Sequence, residues 1–256
     1  MTAAKSDLSL EDIRREIDEI DDGLLRLLQR RYAASAMVRA TKKDEGSLSS
    51  SPLRPTREAQ MLRRLISHRG SELSPQLLVR LWRVILSASA QAQAAVTIHL
   101  DSSLSSNAAQ RVAIAEHFCG MPVVFHGDVT SCLSALAGQS GDLAVVQLSS
   151  DWAAWLSQSS GHGVRVIGAL PVIAAGSTPE LLVLGHAQAH PSGNDETIMI
   201  SRHEPMSSTT AYRWQARSAD WYVASVKGFL SPDDVARQWP DFILAGRCPT
   251  AIEVTP

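Results

Sequence analysis

Four polar residues stand where the helical pattern of this chain calls for hydrophobes. Arg31 falls in an apolar seam between Leu27 and Ala34. Lys42 follows eleven residues later, three helical turns, so it points the same way about 16 Å farther along the axis. Ser89 and Gln93 are four apart and continue the row begun by Ile85. A buried, unpaired cation costs several kcal/mol. Two readings therefore stand side by side. In one, Arg31 snorkels to water and Lys42 is solvated near a frayed helix end. In the other, these groups line a polar pocket inside a helix bundle, and its chemistry is anion binding.

The elements that would position them are legible. Ser9 can cap a helix, with Asp12 three residues on in a loose capping box. Apolar residues then recur at Ile13, Ile17, Ile20, Leu24 and Leu27, and again at Ala34 and Val38, in alternating steps of four and three. A helix is expected over about residues 10–43, roughly 50 Å long, more than its own domain can cover, so a partner chain is expected to bury the rest. The stretch 44–55 reads as a loop. A second helix is expected from Thr56 to about Gly70, with Leu62, Leu65 and Ile66 inward. Ser74 caps a third, with Pro75 at its first position. Its expected inward stripe is Leu77 or Leu78, Leu81, Val84 or Ile85, Ala88 and Ala92.

Composition places these helices in a two-part chain. Of 256 residues, 45% are hydrophobic and 20% charged, so the chain can bury a core. Residues 1–96 hold 16 Lys+Arg against 12 Asp+Glu, while residues 97–256 hold 8 against 14. The acidic part also has five of the six tryptophans. The boundary is expected near residue 96. With a net charge of −2, nucleic acid is not an expected partner. No apolar run reaches the roughly 18 residues of a membrane helix, and Met1 to Ser9 has no apolar signal core. Cys119, Cys132 and Cys248 lack metal or disulfide spacing, which fits a reducing cytoplasm.

The segments IRREIDEIDDGLLRLLQRRYAASAMVRATK, PLRPTREAQMLRRLI and LSPQLLVRLWRVILSASAQAQ closely resemble the all-helical chorismate mutase family, as found fused to prephenate dehydratase. The resemblance covers about residues 8–96. It implies an α+β multidomain chain: a three-helix, intertwined all-α dimer domain (1–96), then a smaller α/β domain (97–256). It places the family's site on Arg14, Arg31, Lys42, Arg57, Glu58, Ser89 and Gln93. The loop after Lys42 is a few residues longer than usual, and Arg54 stands where an aspartate is common.

The chemistry of that family explains these residue types. Chorismate to prephenate is a unimolecular [3,3] rearrangement that needs no nucleophile, metal or cofactor. The substrate carries two carboxylates, so cations must fix its compact chair-like conformer. Negative charge grows on the ether oxygen as the C–O bond breaks, and donors aimed there favour the transition state. By resemblance, Arg14 from the partner chain and Arg31 grip carboxylates bidentately. Lys42 and Gln93 face the ether oxygen, Glu58 with Arg57 holds the ring hydroxyl, and Ser89 assists a carboxylate.

The second part alternates strand-like runs (96–100, 122–125, 143–148, 164–167, 181–184, 197–200, 221–226) with helical stretches (106–119, 129–139, 150–158, 208–218, 231–238), which suggests an α/β or α+β domain. Its fragments resemble a decayed prephenate dehydratase, with an ACT-like remnant from about residue 191. The glycines of that family's first motif are absent from SSLSSNAAQRVA. Leu148-Ser149-Ser150 replaces its Glu-Asn motif, and Thr178-Pro179-Glu180 loses the arginine of Thr-Arg-Phe. Loss of dehydratase activity is expected. His162 reads as a turn residue, Trp152 and Trp155 as packing, and His186 with His190 as no metal site.

The expected function is a homodimeric chorismate mutase of phenylalanine and tyrosine biosynthesis. Its rivals are a still bifunctional mutase–dehydratase, an isochorismate-pyruvate lyase on a similar bundle, and a non-catalytic helical dimerisation or regulatory module.

Overall fold

The computed structural model describes residues 9–44, 51–138, 141–158, 163–173, 178–186, 189–204 and 212–254, with side chains of residues 39–44 excepted. The chain forms two compact units, one ending at Ser47 and the other beginning at Leu48.

Among the described residues the first unit is one helix, α1 (Leu10–Asp44). Its start is the expected capping box: the Ser9 amide donates to Asp12 Oδ2 at 3.2 Å, and the Asp12 amide donates to Ser9 Oγ at 3.1 Å. The heptad seam is exposed rather than buried. Ile17, Ile20, Leu24 and Leu27 each keep more than half of their surface open.

The second unit begins with α2 (Pro55–His68) and α3 (Pro75–Gln93). The Ser74 hydroxyl caps α3 by accepting from the Leu77 amide at 3.2 Å. After these helices come β1 (Ile98–Asp101), α4 (Ser103–Ser106), α5 (Ala108–His117), β2 (Val123–His126), α6 (Val129–Ser134), β3 (Leu143–Gln147), α7 (Trp152–Gln158), β4 (Arg165–Leu170) and β5 (Leu181–Gly185). Strands β6 (Asp195–Ser201), β7 (Tyr212–Ser218) and β8 (Trp221–Lys227), helix α8 (Pro232–Gln238) and strand β9 (Ile243–Pro249) complete it. The nine strands form one mixed sheet in the order β2-β1-β3-β5-β4-β9-β6-β8-β7. Strands β2, β1 and β3 run parallel, as do β4 and β9; the remaining neighbours are antiparallel.

The β4–β9 pairing joins the two halves of the sheet at Val166 and Gly246. A Cβ at Gly246 would meet the Val166 backbone, its nitrogen at only 2.7 Å, so only glycine allows the strands to approach this closely.

Several expectations are corrected. All seven strand-like runs are strands, but the described part of 208–218 is not helical: Tyr212–Ser218 is β7, zipped to β8 across a tight turn at Ala219, whose φ is +47°; residues 208–211 lie outside the described residues. Trp214 and Ser218 of β7 point into the core while Arg213 and Gln215 face out, a period of two. β9 was not foreseen. The expected stripe of α3 holds only in part: Leu78 is buried and Ile85 and Ala92 are half-buried, but Leu81 and Ala88 are exposed, and the buried residues also include Val79, Arg83, Ser87, Ser89 and Ala90. Nor does the boundary near residue 96 separate the compact units. Leu62 and Val79 form one cluster with Ile252, and Leu53 and Ala90 pack with Ile98, Leu143 and Val183 of the sheet. Arg63 fastens α2 to the strand region through the Ser192 hydroxyl (2.9 Å) and the carbonyls of Asn194 (2.8 Å) and Thr250 (2.9 Å). The second unit is therefore the larger part of the chain and includes two of the three expected bundle helices.

Candidate active site

The seven expected site residues divide between the units. Arg14, Arg31 and Lys42 lie on α1. Arg14 is exposed, and Arg31 is half-buried, with desolvation lowering its guanidinium pKa below the ordinary value. Lys42 is helical, but its side chain is outside the described residues.

Arg57, Glu58, Ser89 and Gln93 lie on α2 and α3. Ser89 and Gln93 share the row on α3 that the sequence indicates. The Ser89 hydroxyl donates back to the Ile85 carbonyl at 2.7 Å, and Gln93 Nε2 donates to the Ser89 carbonyl at 3.0 Å. Arg57 is exposed. Glu58, its neighbour in sequence, turns the other way and is buried. Its Oε1 accepts from the Arg54 amide at 3.3 Å, and its Oε2 accepts from Arg83 Nη2 at 2.6 Å.

Arg83 is the residue that sequence reasoning missed. It is 5% exposed and lies between Glu58 and His117, with Nη1 3.0 Å from His117 Nε2. Arginine donates only, so His117 accepts and is neutral there. Burial, and then the adjacent guanidinium, push the His117 pKa well below its ordinary value. The Arg83 Nε has no hydrogen-bond partner among the described residues. The one signal for Arg83 in the sequence is its spacing, four after Val79 and four before Ser87, on a row whose other members are uncharged.

Comparison with known proteins identifies the helical segment. The family model of chorismate mutase type II matches residues 13–94. These residues are a chorismate mutase type II domain. The mutase domain spans α1, α2 and α3, and so includes all seven expected positions. No curated protein sequence matches the chain. Two solved structures resemble it more distantly. One, described as "GqqA- a novel type of quorum quenching acylases", is 13% identical, with a TM-score of 0.40 over 60% of this chain and 95% of its own. The other, prephenate dehydratase from Streptococcus mutans, is 8% identical, with a TM-score of 0.37 over 60% of this chain and 97% of its own.

Outside the mutase domain, Trp152 is fully buried with its indole donating to the Leu148 carbonyl at 3.0 Å, and Trp155 donates to Ser134 Oγ at 3.3 Å. His186 Nε2 is 2.8 Å from the Leu136 carbonyl, and His190 is exposed. His162 lies outside the described residues. No described helix is long and apolar enough to cross a membrane.

Proposed function

We propose that the chain is a homodimeric chorismate mutase that converts chorismate to prephenate. The observation that carries this reading is the match of the mutase family to residues 13–94, a stretch that contains the seven polar positions we assign to the site. Arg31 and Ser89 bind carboxylates, Arg57 and Glu58 hold the ring hydroxyl, and Lys42 and Gln93 donate to the ether oxygen as charge grows there. On one continuous helix Arg14 lies seventeen residues from Arg31, about 26 Å along the axis. One small substrate cannot span that distance, so Arg14 serves the site of the second copy. The exposed seam of α1 supports the same dimer.

The strand-rich part we read as a degenerate dehydratase scaffold without dehydratase activity, with an ACT-like remnant from about residue 191. The motif losses at Leu148-Ser149-Ser150 and Thr178-Pro179-Glu180 support that reading. The buried free thiols of Cys132 and Cys248 suit the cytoplasm.

A steady-state assay of chorismate loss with product identification tests the proposal. Prephenate as the sole product supports it. Phenylpyruvate above the acid-catalysed background would favour the bifunctional reading, and salicylate with pyruvate the lyase. No turnover would favour a non-catalytic dimerisation module, a reading to which the commitment of Glu58 to Arg83 lends weight.

A further inference from the structure

Two histidines from neighbouring strands meet at one edge of the sheet. His99 of β1 is buried, and its Nδ1 lies 2.8 Å from Nε2 of His126, the last residue of β2. The ring centroids are 5.0 Å apart. The other ring nitrogen of His99, Nε2, is 3.2 Å from Asp142 Oδ2, and Asp142 Oδ1 accepts from the Thr97 amide at 2.8 Å. A line of three side chains, Asp142–His99–His126, therefore runs from the start of β3 to the outermost strand.

The carboxylate fixes the proton positions. Ionised Asp142 only accepts, so His99 Nε2 carries a hydrogen. In the neutral His99 ring Nδ1 is then the acceptor, and His126 Nε2–H donates to it. One added proton keeps every bond. It sits on His126 Nδ1 or, passed along the line, on His99 Nδ1, with His126 Nε2 now accepting. A second added proton puts hydrogens on both facing nitrogens. The bond between the rings is lost, and two like charges oppose each other. The groups around the pair are Asp142, Asp101 of β1 in register with His126, Asp128 at the cap of α6, and Cys132 of α6. Burial, and then the two aspartates Asp101 and Asp128, push the Cys132 thiol up to about 12, so it adds no charge. Asp128 favours a charged His126, but burial and then His99 oppose it, and the His126 pKa is lowered.

β2 has little else to hold it. Among the described residues it pairs with β1 alone, over four residues. Val123, Val124 and Phe125 keep 43%, 43% and 50% of their surface open. A strand with so little apolar burial belongs to the low-stability end of a fold.

We propose that the His99–His126 contact is an acid-operated latch on this edge of the sheet: it stays shut with one added proton or none, and the second frees β2 from β1. The latch goes beyond the mutase reading and is independent of it, because none of its residues is a mutase site position. The shut pair binds the second proton less readily than the open pair, so the protection of β2 is present above the ordinary imidazole value of about 6.5 and is lost as pH falls below it.

Amide hydrogen exchange on the full-length protein tests this, with β8, toward the other edge of the sheet, as the reference. After correction for the intrinsic exchange rate, β2 protection should fall about tenfold per pH unit below pH 6, one proton being taken up on opening. β8 should exchange more slowly than β2 throughout. In His126→Gln the amide Nε2 can still donate to His99 Nδ1 but takes no proton, and the slope in β2 should disappear. His99→Gln should flatten it as well. In nitrogen NMR of the histidine rings the wild-type pair should take up its protons in two separate steps, and His126 in His99→Gln in one. A β2 protection that does not change with pH, a slope that survives in both variants, equal exchange of β2 and β8, or simultaneous titration of the two rings overturns the latch.

Discussion

At the residue scale, the roles assigned to the polar positions separate in kinetics. A donor aimed at the ether oxygen acts only as charge develops, and its removal costs about 2.7–4 kcal/mol in the transition state. Lys42→Ala should therefore lower kcat by roughly two to three orders of magnitude. Arg31→Ala should chiefly raise KM, because a carboxylate grip is made in ground and transition states alike. Gln93→Glu is a sharper variant, since a glutamate donates only when protonated, below its usual pKa of about 4.3. Its activity should fall at neutral pH and recover as pH is lowered. Wild-type-like kcat/KM in both Lys42→Ala and Gln93→Ala would sink the mutase assignment of these positions.

The Glu58–Arg83 pair makes a different kind of claim. Removing one member of a buried pair strands the other, at a cost of about 3–5 kcal/mol, whereas replacing both by hydrophobes of similar size is close to neutral. Arg83→Met and Glu58→Leu should each lower the urea midpoint strongly, and the double variant should lie above either single one. Additive losses would show that the two residues do not act as a unit. His117 adds a pH dependence whose sign follows from its depressed pKa. The unfolded chain binds the proton more readily than the native one. The stabilisation is thus present above the unfolded imidazole value of about 6.5 and is lost as pH falls below it. Unfolding free energy should rise between about pH 5 and 7 in the wild type, and less steeply in His117→Asn, which keeps an acceptor for Arg83 but cannot titrate there. Identical slopes would remove His117 from the account.

At the element scale, α1 argues for a second chain. A helix of 35 residues with Ile17, Ile20, Leu24 and Leu27 all more than half exposed carries an exposed hydrophobic seam. Such a stripe is stable in water when another surface covers it. Sedimentation at micromolar concentration should show two chains, and Leu24→Glu with Leu27→Glu should give a monomer without mutase activity. An active monomer would overturn both the dimer and the role of Arg14. The sequence made α1 and the start of α3 readable because caps and periodicity are local signals: Ser9 with Asp12, and Ser74 with Pro75, fix those ends almost to the residue. It misplaced the inward face of α3 because that face is chosen by what it meets. Arg83 is buried only because Glu58 and His117, 25 residues before it and 34 after it, turn toward it. β7 was hidden for a related reason. Its short alternation holds two arginines and a glutamine, and becomes a strand through pairing with β8.

At the scale of the whole molecule, the question is whether the mutase domain can stand without the strands. Composition and charge placed a boundary near residue 96, and all seven expected site residues precede it. The packing crosses that line. Leu53, Leu62, Val79 and Ala90 are buried against Ile98, Leu143, Val183 and Ile252, and Arg63 donates to Ser192, Asn194 and Thr250. Re-exposing a buried Leu or Val side chain costs about 1.5–3 kcal/mol. Three such side chains together reach the order of the 5–15 kcal/mol that holds a whole domain folded. Cutting after residue 96 would also remove His117 from Arg83. The fragment 1–96 should therefore retain helical circular dichroism but lose its cooperative melt, bind a hydrophobic dye, and lose most of its kcat/KM. Co-expression with residues 97–256 should restore both the melt and the activity, since the missing surface is supplied in trans. A fragment that melts cooperatively and keeps full kcat/KM would show that the strand contacts are dispensable to the mutase domain, and that the compositional boundary at residue 96 is the functional one after all.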